Sequence, residues 1–189
     1  MAFDFTTAMW ELMDDISGTC PELNHIEMSR VAVGFGQARS RRLSGIYAQV
    51  YPLRFPGGAR RLRRGGAVFE MPRVGFRGRE ALYVVKFMLP RFLDLPFGEK
   101  LGVVFHEMLH IGPDFDGTLR TFPGRNCYHS ASQRRFDAVA VALAKAYLAA
   151  TTRPQLHDFL KRTFRELSEA HGGVVGTRYL RNPVPYRIR

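Results

Sequence analysis

Cysteine is scarce in this chain of 189 residues. Only Cys20 and Cys127 are present, too few and too far apart for the disulfide framework of a small secreted scaffold. No C-x-x-C pair occurs, so a thiolate zinc ribbon within the chain is excluded. Long apolar runs are missing as well: none reaches the roughly 18 residues needed to span a bilayer. The first residues, MAFDFTTAMWELMDD, carry acids where a secretory signal carries basic residues ahead of an apolar stretch. There is no internal repeat and no long low-complexity tract. Together these absences predict a soluble, cytoplasmic protein with no membrane partner. The length suits one domain over 1–189, ending in a basic C-terminal tail at 173–189.

Lysine is the other rare residue, confined to Lys86, Lys100, Lys145 and Lys161. Arginine supplies nearly all of the basic charge, and the formal net charge is +11. Hydrophobic residues make up 46% and charged residues 24%, a balance that supports a packed core rather than disorder. A strongly basic surface attracts polyanions, and the guanidinium fork fits phosphate. Non-specific DNA or RNA is therefore a candidate partner; compositional bias toward arginine is the competing explanation. The basic runs Arg39, Arg41, Arg42 and Arg60, Arg61, Arg63, Arg64 flank a strand at 45–55 and could meet in one patch.

Helical spacing of Phe5, Met9, Leu12, Met13 and Ile16 predicts a helix over 3–16, stopped by Gly18. Met28–Phe35 reads as a short strand ended by Gly34 and Gly36. The alternation in GIYAQVYPLRF predicts a second strand, broken at Pro56-Gly57-Gly58. AVFEMPRV and ALYVVKFML read as strands or a hairpin, with a turn at 75–78. From Phe97 to Ile111 the spacing turns helical, and Gly112-Pro113 stops it. A helix over 132–149 carries the stripe Phe136, Val139, Ala140, Leu143, Ala144, Tyr147, and its remaining alanines and valines predict burial all round. A last helix starts at Pro154 and ends at Gly172-Gly173. The basic tail either docks as an extended strand or stays loose. One helix, several strands and then three helices give an α+β fold.

The chemistry concentrates in VVFHEMLHIGPDFDG. His106, Glu107 and His110 spell H-E-x-x-H inside a predicted helix. Residues four apart on a helix differ by only about 40° around its axis, so both imidazoles can share a metal ion. Zinc suits imidazole ligands with one coordination position left open. A water on such a metal is acidified to near neutrality, and Glu107 can take its proton and pass it to a leaving amine. Random placement gives this motif in roughly 1% of chains of this composition. Chance does not also supply the apolar helix and the Gly-Pro break that lets a third ligand swing back.

That third ligand has several candidates: Asp114, Asp116, His129 and, farther away, His157 and His171. Asp116 lies six residues after His110 and also fits an Asp-Gly turn. His129 lies just before the 132–149 helix, and a neutral imidazole there would complete a His₃ set; it is the preferred candidate. His25, His157 and His171 have no motif around them and read as surface or helix-end residues.

HEMLH in a small basic chain, with MPR upstream and FDG…R…FPGRN.YHS downstream, resembles an uncharacterised family of prokaryotic and phage metallopeptidases. The resemblance spans about residues 45–150, including YPLRF, MPRV and LYVVKFMLPRFLDL. More distantly the chain is similar to SprT-like zinc proteases, whose third histidine follows a variable loop and precedes a helix, as His129 does. The resemblance implies a zincin-like fold, with a small mixed sheet packed on an active-site helix and further helices C-terminal to it. It also implies Zn²⁺-dependent hydrolysis of protein or peptide substrates, in the SprT case linked to DNA, but the zinc ribbon of SprT proteins is missing here. Zincins hold substrate as an added strand on a sheet edge, and ALYVVKFML is the nearest candidate for that edge. Tyr128, Arg120 and Arg125 are candidate oxyanion stabilisers.

Two functions from different classes follow. One is a zinc peptidase with Glu107 as its base. The other is a basic nucleic-acid-binding protein with a structural or degenerate zinc site, in which an acid at position 107 has no use.

Overall fold

In a computed structural model, residues 1–38, 45–122 and 132–188 are described. They form an α+β fold. β1 (Phe3–Asp4) leads directly into α1 (Phe5–Thr19), because the Asp4 carboxylate accepts from the Thr7 N–H at 3.0 Å and from its hydroxyl at 2.9 Å. An N-cap of this type satisfies donors that the first helical turn leaves open. Phe5, Met9, Leu12, Met13 and Ile16 are fully buried along one stripe. Gly18 does not stop the helix; Pro21 does, after the Cys20 N–H has closed on the Ile16 carbonyl.

Three strands form the sheet that organises the core: β2 (Val31–Gln37), β3 (Ala48–Pro52) and β8 (Tyr83–Leu89). β8 is central, parallel to β2 and antiparallel to β3. Its run YVVKFML is nearly continuous in apolar residues because both faces are covered. This overturns the expectation that ALYVVKFML offers a free edge. β3 is the edge strand next to α2, and its burial alternates only in part. Gly34 and Gly36 lie inside β2 rather than ending it. A Cβ at Gly34 would stand 2.6 Å from the Thr177 carbonyl oxygen, so the glycine admits the C-terminal tail. That tail pairs along β2, with Phe35 and Thr177, then Tyr179 and Phe35, exchanging backbone bonds of 2.9 and 2.8 Å.

β4 (Arg61–Arg64) and β5 (Ala67–Glu70) make a hairpin, joined by β10 (Tyr186–Arg187) in the order β10-β5-β4. The tail thus docks at both ends rather than hanging loose. β6 (Gly75–Phe76) and β7 (Arg79–Glu80) form a small hairpin at the expected turn, and β9 (Val174–Val175) runs parallel to β1.

α2 (Phe97–Leu109) and α3 (Gln133–Ala150) pack along one another, and α1 and α2 cover the inner face of the sheet. α3 buries only Phe136, Ala140, Ala144 and Tyr147, while Val139, Val141 and Leu148 are exposed. Burial all round was the expectation, but no element covers its far side among the described residues. The Tyr147 hydroxyl donates to Asp15 Oδ2 at 2.7 Å and fixes α3 against α1. No helix among the described residues is long and apolar enough to cross a membrane.

The last helix is shorter than its periodicity suggests. Pro154–Lys161 are 3₁₀ turns, Arg162 is extended, and α4 covers only Phe164–His171. Thr163 and Glu166 form a capping box that starts α4 afresh. The break also frees two carbonyls. The Lys100 ammonium, almost fully buried on α2, donates to Leu160 O at 2.9 Å and Arg162 O at 2.7 Å. Lys100→Met keeps the volume but leaves both carbonyls without their donor. Buried unsatisfied acceptors cost about 1–3 kcal/mol each, so urea unfolding should show a loss on the order of 2–5 kcal/mol, and an unchanged midpoint would contradict this anchoring role.

Candidate active site

α2 delivers H-E-x-x-H as its spacing predicts. His106 and His110 lie one turn apart, and their Nε2 atoms are 3.0 Å from each other. Two nitrogens bound to one zinc at about 2.0–2.1 Å each in tetrahedral geometry would lie about 3.3–3.4 Å apart, so the rings need to part by only a few tenths of an ångström to share an ion. His106 Nδ1 lies 2.8 Å from Asp137 Oδ1. A carboxylate only accepts, so Nδ1 carries the hydrogen and the Nε2 lone pair is left facing His110. The donor set therefore fits a zinc ion.

α3 holds this pair from the other side. Its N-terminus is fixed by Ser132, whose hydroxyl accepts from the Arg135 N–H at 3.1 Å. One turn later Phe136 stacks on the His110 ring, centroids 4.8 Å apart and planes at 23°, and meets the His106 ring edge-on at 5.0 Å. Asp137, the next residue, reaches His106. The sequence reading missed Asp137. Its one local signal is a carboxylate beside the first buried aromatic of α3.

Glu107 is turned about 100° from His106 on the helix and is buried. Its Oε2 accepts the Val50 N–H at 2.9 Å. In β3 the Tyr47 carbonyl and Leu53 N–H face β8, so alternation turns the polar groups of residues 48 and 50 toward the edge that no strand among the described residues pairs. Val50 thus gives Glu107 a donor that the sheet does not use. Burial pushes the Glu107 carboxyl up to about 7, and the Val50 N–H opposes part of that rise.

These groups line a cleft of about 900 Å³ between β3, α2 and α3. Residues 45–52 form one wall, with Val103 and Val141 opposite and Leu119 and Val184 also at the lining. The chain leaves α2 through Gly112, where a Cβ would stand 2.8 Å from the Thr118 carbonyl. It returns beside the helix end, with Arg120 N–H bonded to His110 O at 2.7 Å.

The remaining candidates separate. Asp116 accepts from the Thr118 N–H and hydroxyl at 3.0 and 2.6 Å in an Asp-Gly turn, and Asp114 is exposed. Among the described residues no group of three or more His, Cys, Asp or Glu is gathered in a way that could hold a metal ion, so the structure does not bring either aspartate together with His106 and His110. His157 is not a surface residue: it is buried between the rings of Phe97 and Tyr147. His171 ends α4 against Phe3, and His25 lies near Ile111 and Arg120. Leu119 lines the cleft, and Arg120, the next residue, is not among the lining residues. His129, Tyr128 and Arg125 lie outside the described residues, as do Arg39, Arg41 and Arg42.

Val50→Pro tests the link between edge and helix. Proline removes the one N–H that Glu107 uses and no bond of the β3–β8 ladder. Far-UV circular dichroism should be preserved while urea unfolding shows a loss of about 1–3 kcal/mol; wild-type stability would mean that Glu107 does not rely on this donor.

Compared with protein-family models, curated proteins and solved structures, the chain matches none. The metallopeptidase resemblance of residues 45–150 rests on the motifs quoted for it.

Proposed function

We propose that the chain is a zinc-dependent peptidase of zincin type. One observation carries the reading: two imidazole Nε2 atoms 3.0 Å apart share a cleft wall with a buried carboxylate and a free strand edge. His106 and His110 would hold the metal, with His129 as the preferred third ligand. Bound there, zinc would polarise the scissile carbonyl and acidify a water.

The chain's own groups do the rest. Asp137 keeps the Nδ1 proton on His106 and so keeps Nε2 a ligand. Glu107 has Oε2 committed to the Val50 N–H, which leaves Oε1 to accept a proton from the attacking water. A carboxyl near pH 7 takes and releases that proton with little cost either way, so the same atom can pass it to the leaving amine. The outward groups of β3 are the Ala48 N–H and carbonyl and the Val50 carbonyl. They suit an extended peptide laid antiparallel or parallel along that edge. Ile46, Val103 and Val141 line the cleft and offer apolar surface to the side chains of such a peptide. A structural zinc site gains nothing from a buried acid at this point, because burying a carboxylate costs stability.

Two measurements test the reading. Glu107→Gln removes the base and leaves both ligands, so zinc should stay bound while cleavage of an unfolded protein such as casein falls by at least 100-fold. Turnover retained in the zinc-loaded variant would sink the mechanism. Zinc affinity by competition with a chromophoric chelator should weaken 10- to 100-fold in Asp137→Ala and at least as much in His129→Ala, while Asp116→Ala should match wild type. Loss confined to Asp116→Ala would reverse the ligand assignment.

A further inference from the structure

Residues 54–80 contain eight arginines, no lysine and two glutamates, a net charge of +6 and more than half of the chain's +11. Both glutamates are already engaged. Glu80 Oε1 accepts from Arg60 at 2.9 Å and Arg54 at 3.1 Å. Glu70 meets Arg60 at 3.6 Å and Arg61 at 3.4 Å. Part of the surplus lies on β4, the outer strand of the β10-β5-β4 sheet, where all four residues are exposed; the rest is carried by Arg73, Arg77 and Arg79 farther along the chain. Arg63 and Arg64 have no carboxylate partner among the described residues.

The strand arranges this charge. Gly65 and Gly66 both take positive φ, 56° and 76°, in a two-residue turn that places Arg64 opposite Ala67 and Arg61 opposite Glu70. Turns of this kind match the twist of a hairpin and hold its register. Alternation then puts Arg61 and Arg63 on one face, about 6.8 Å apart. Tyr186 pairs with Glu70 and so lies on that face, about half exposed. Arg64 falls on the opposite face with Arg187, which pairs with Phe69.

We infer that this sheet is a binding surface for the sugar-phosphate backbone of nucleic acid. Guarding an edge against strand addition needs only charge, and lysine serves it well. Three arginines on a four-residue strand add planar, two-pronged donors that match phosphate oxygens. Tyr186, on the same face two strands away across Glu70, gives a base a surface to stack on. No helix or finger that reads base edges accompanies it, so binding is governed by phosphates and is indifferent to sequence. The surface is separate from His106, Glu107 and His110, and the inference stands without the peptidase reading. β10 and the cleft are nonetheless adjoining, since Val184, two residues before Tyr186, lines the cleft.

Fluorescence anisotropy of the full chain with unrelated duplexes and single strands, from low to physiological salt, tests the inference. Duplex binding should weaken with a log–log slope of about −0.9 for each phosphate neutralised. Arg63→Ala/Arg64→Ala should reduce that slope by about two, with the melting temperature unchanged. Lys145→Ala/Arg165→Ala, which removes the same charge elsewhere, should leave the slope as it is, and so should Glu107→Gln. No binding at low salt would overturn the inference and leave the arginines as edge guards. Equal loss in both double variants would reduce it to net charge. Binding by the wild type to phosphatidylserine vesicles or polyglutamate as tight as to DNA would assign the surface to another class of polyanion.

Discussion

A carboxylate buried on the sheet side of α2 is the constraint around which the cleft is built. Glu107 is almost fully buried at the cleft wall, and burial alone would favour its neutral form. The Val50 N–H, pointing off the free edge of β3, is the donor that makes the site tolerable for it. That one bond ties a strand edge to a helix across 57 residues of sequence. It also dictates that β3, not β8, faces the cleft. Were β3 paired on both sides, the same N–H would belong to a ladder and Glu107 would be stranded.

The imidazole pair is under a second constraint, set by α3. Spacing on α2 turns His106 and His110 the same way but does not fix their rings. Phe136 stacks on one and abuts the other, and Asp137 fixes the tautomer of His106. α3 is itself held by the Tyr147 hydroxyl on Asp15 of α1 and by a small-residue seam of Ala140 and Ala144 against α2. The geometry of the site thus depends on residues up to two helices away from it.

Local signals were legible in the sequence and non-local ones were not. H-E-x-x-H, the Gly-Pro break and the α+β order follow from spacing and punctuation. The edge strand was misread because adjacency to α2 in the chain was given more weight than pattern. The apolar run of β8, interrupted only by Lys86, is the mark of a central strand, and the alternation in β3 that of a half-covered one. The stop between Lys161 and Phe164 was also written in the sequence, as the Thr163–Glu166 capping box, but it was hidden by continuous helical spacing on both sides. Asp137 had only its place beside Phe136 as a local signature and Val50 had none, because their roles exist only once α3 and β3 have docked on α2. Burial of His157 escaped notice for the same reason.

The central claim is that His106 and His110 share one metal ion in this cleft. X-ray absorption at the zinc edge on the purified, zinc-loaded chain addresses it most directly. The account predicts one zinc per chain in a shell of nitrogen and oxygen at about 2.0–2.1 Å, with imidazole scattering that is lost when both histidines are replaced by alanine. Zinc bound through sulfur, zinc retained unchanged by the double variant, or no stoichiometric zinc at all would contradict it.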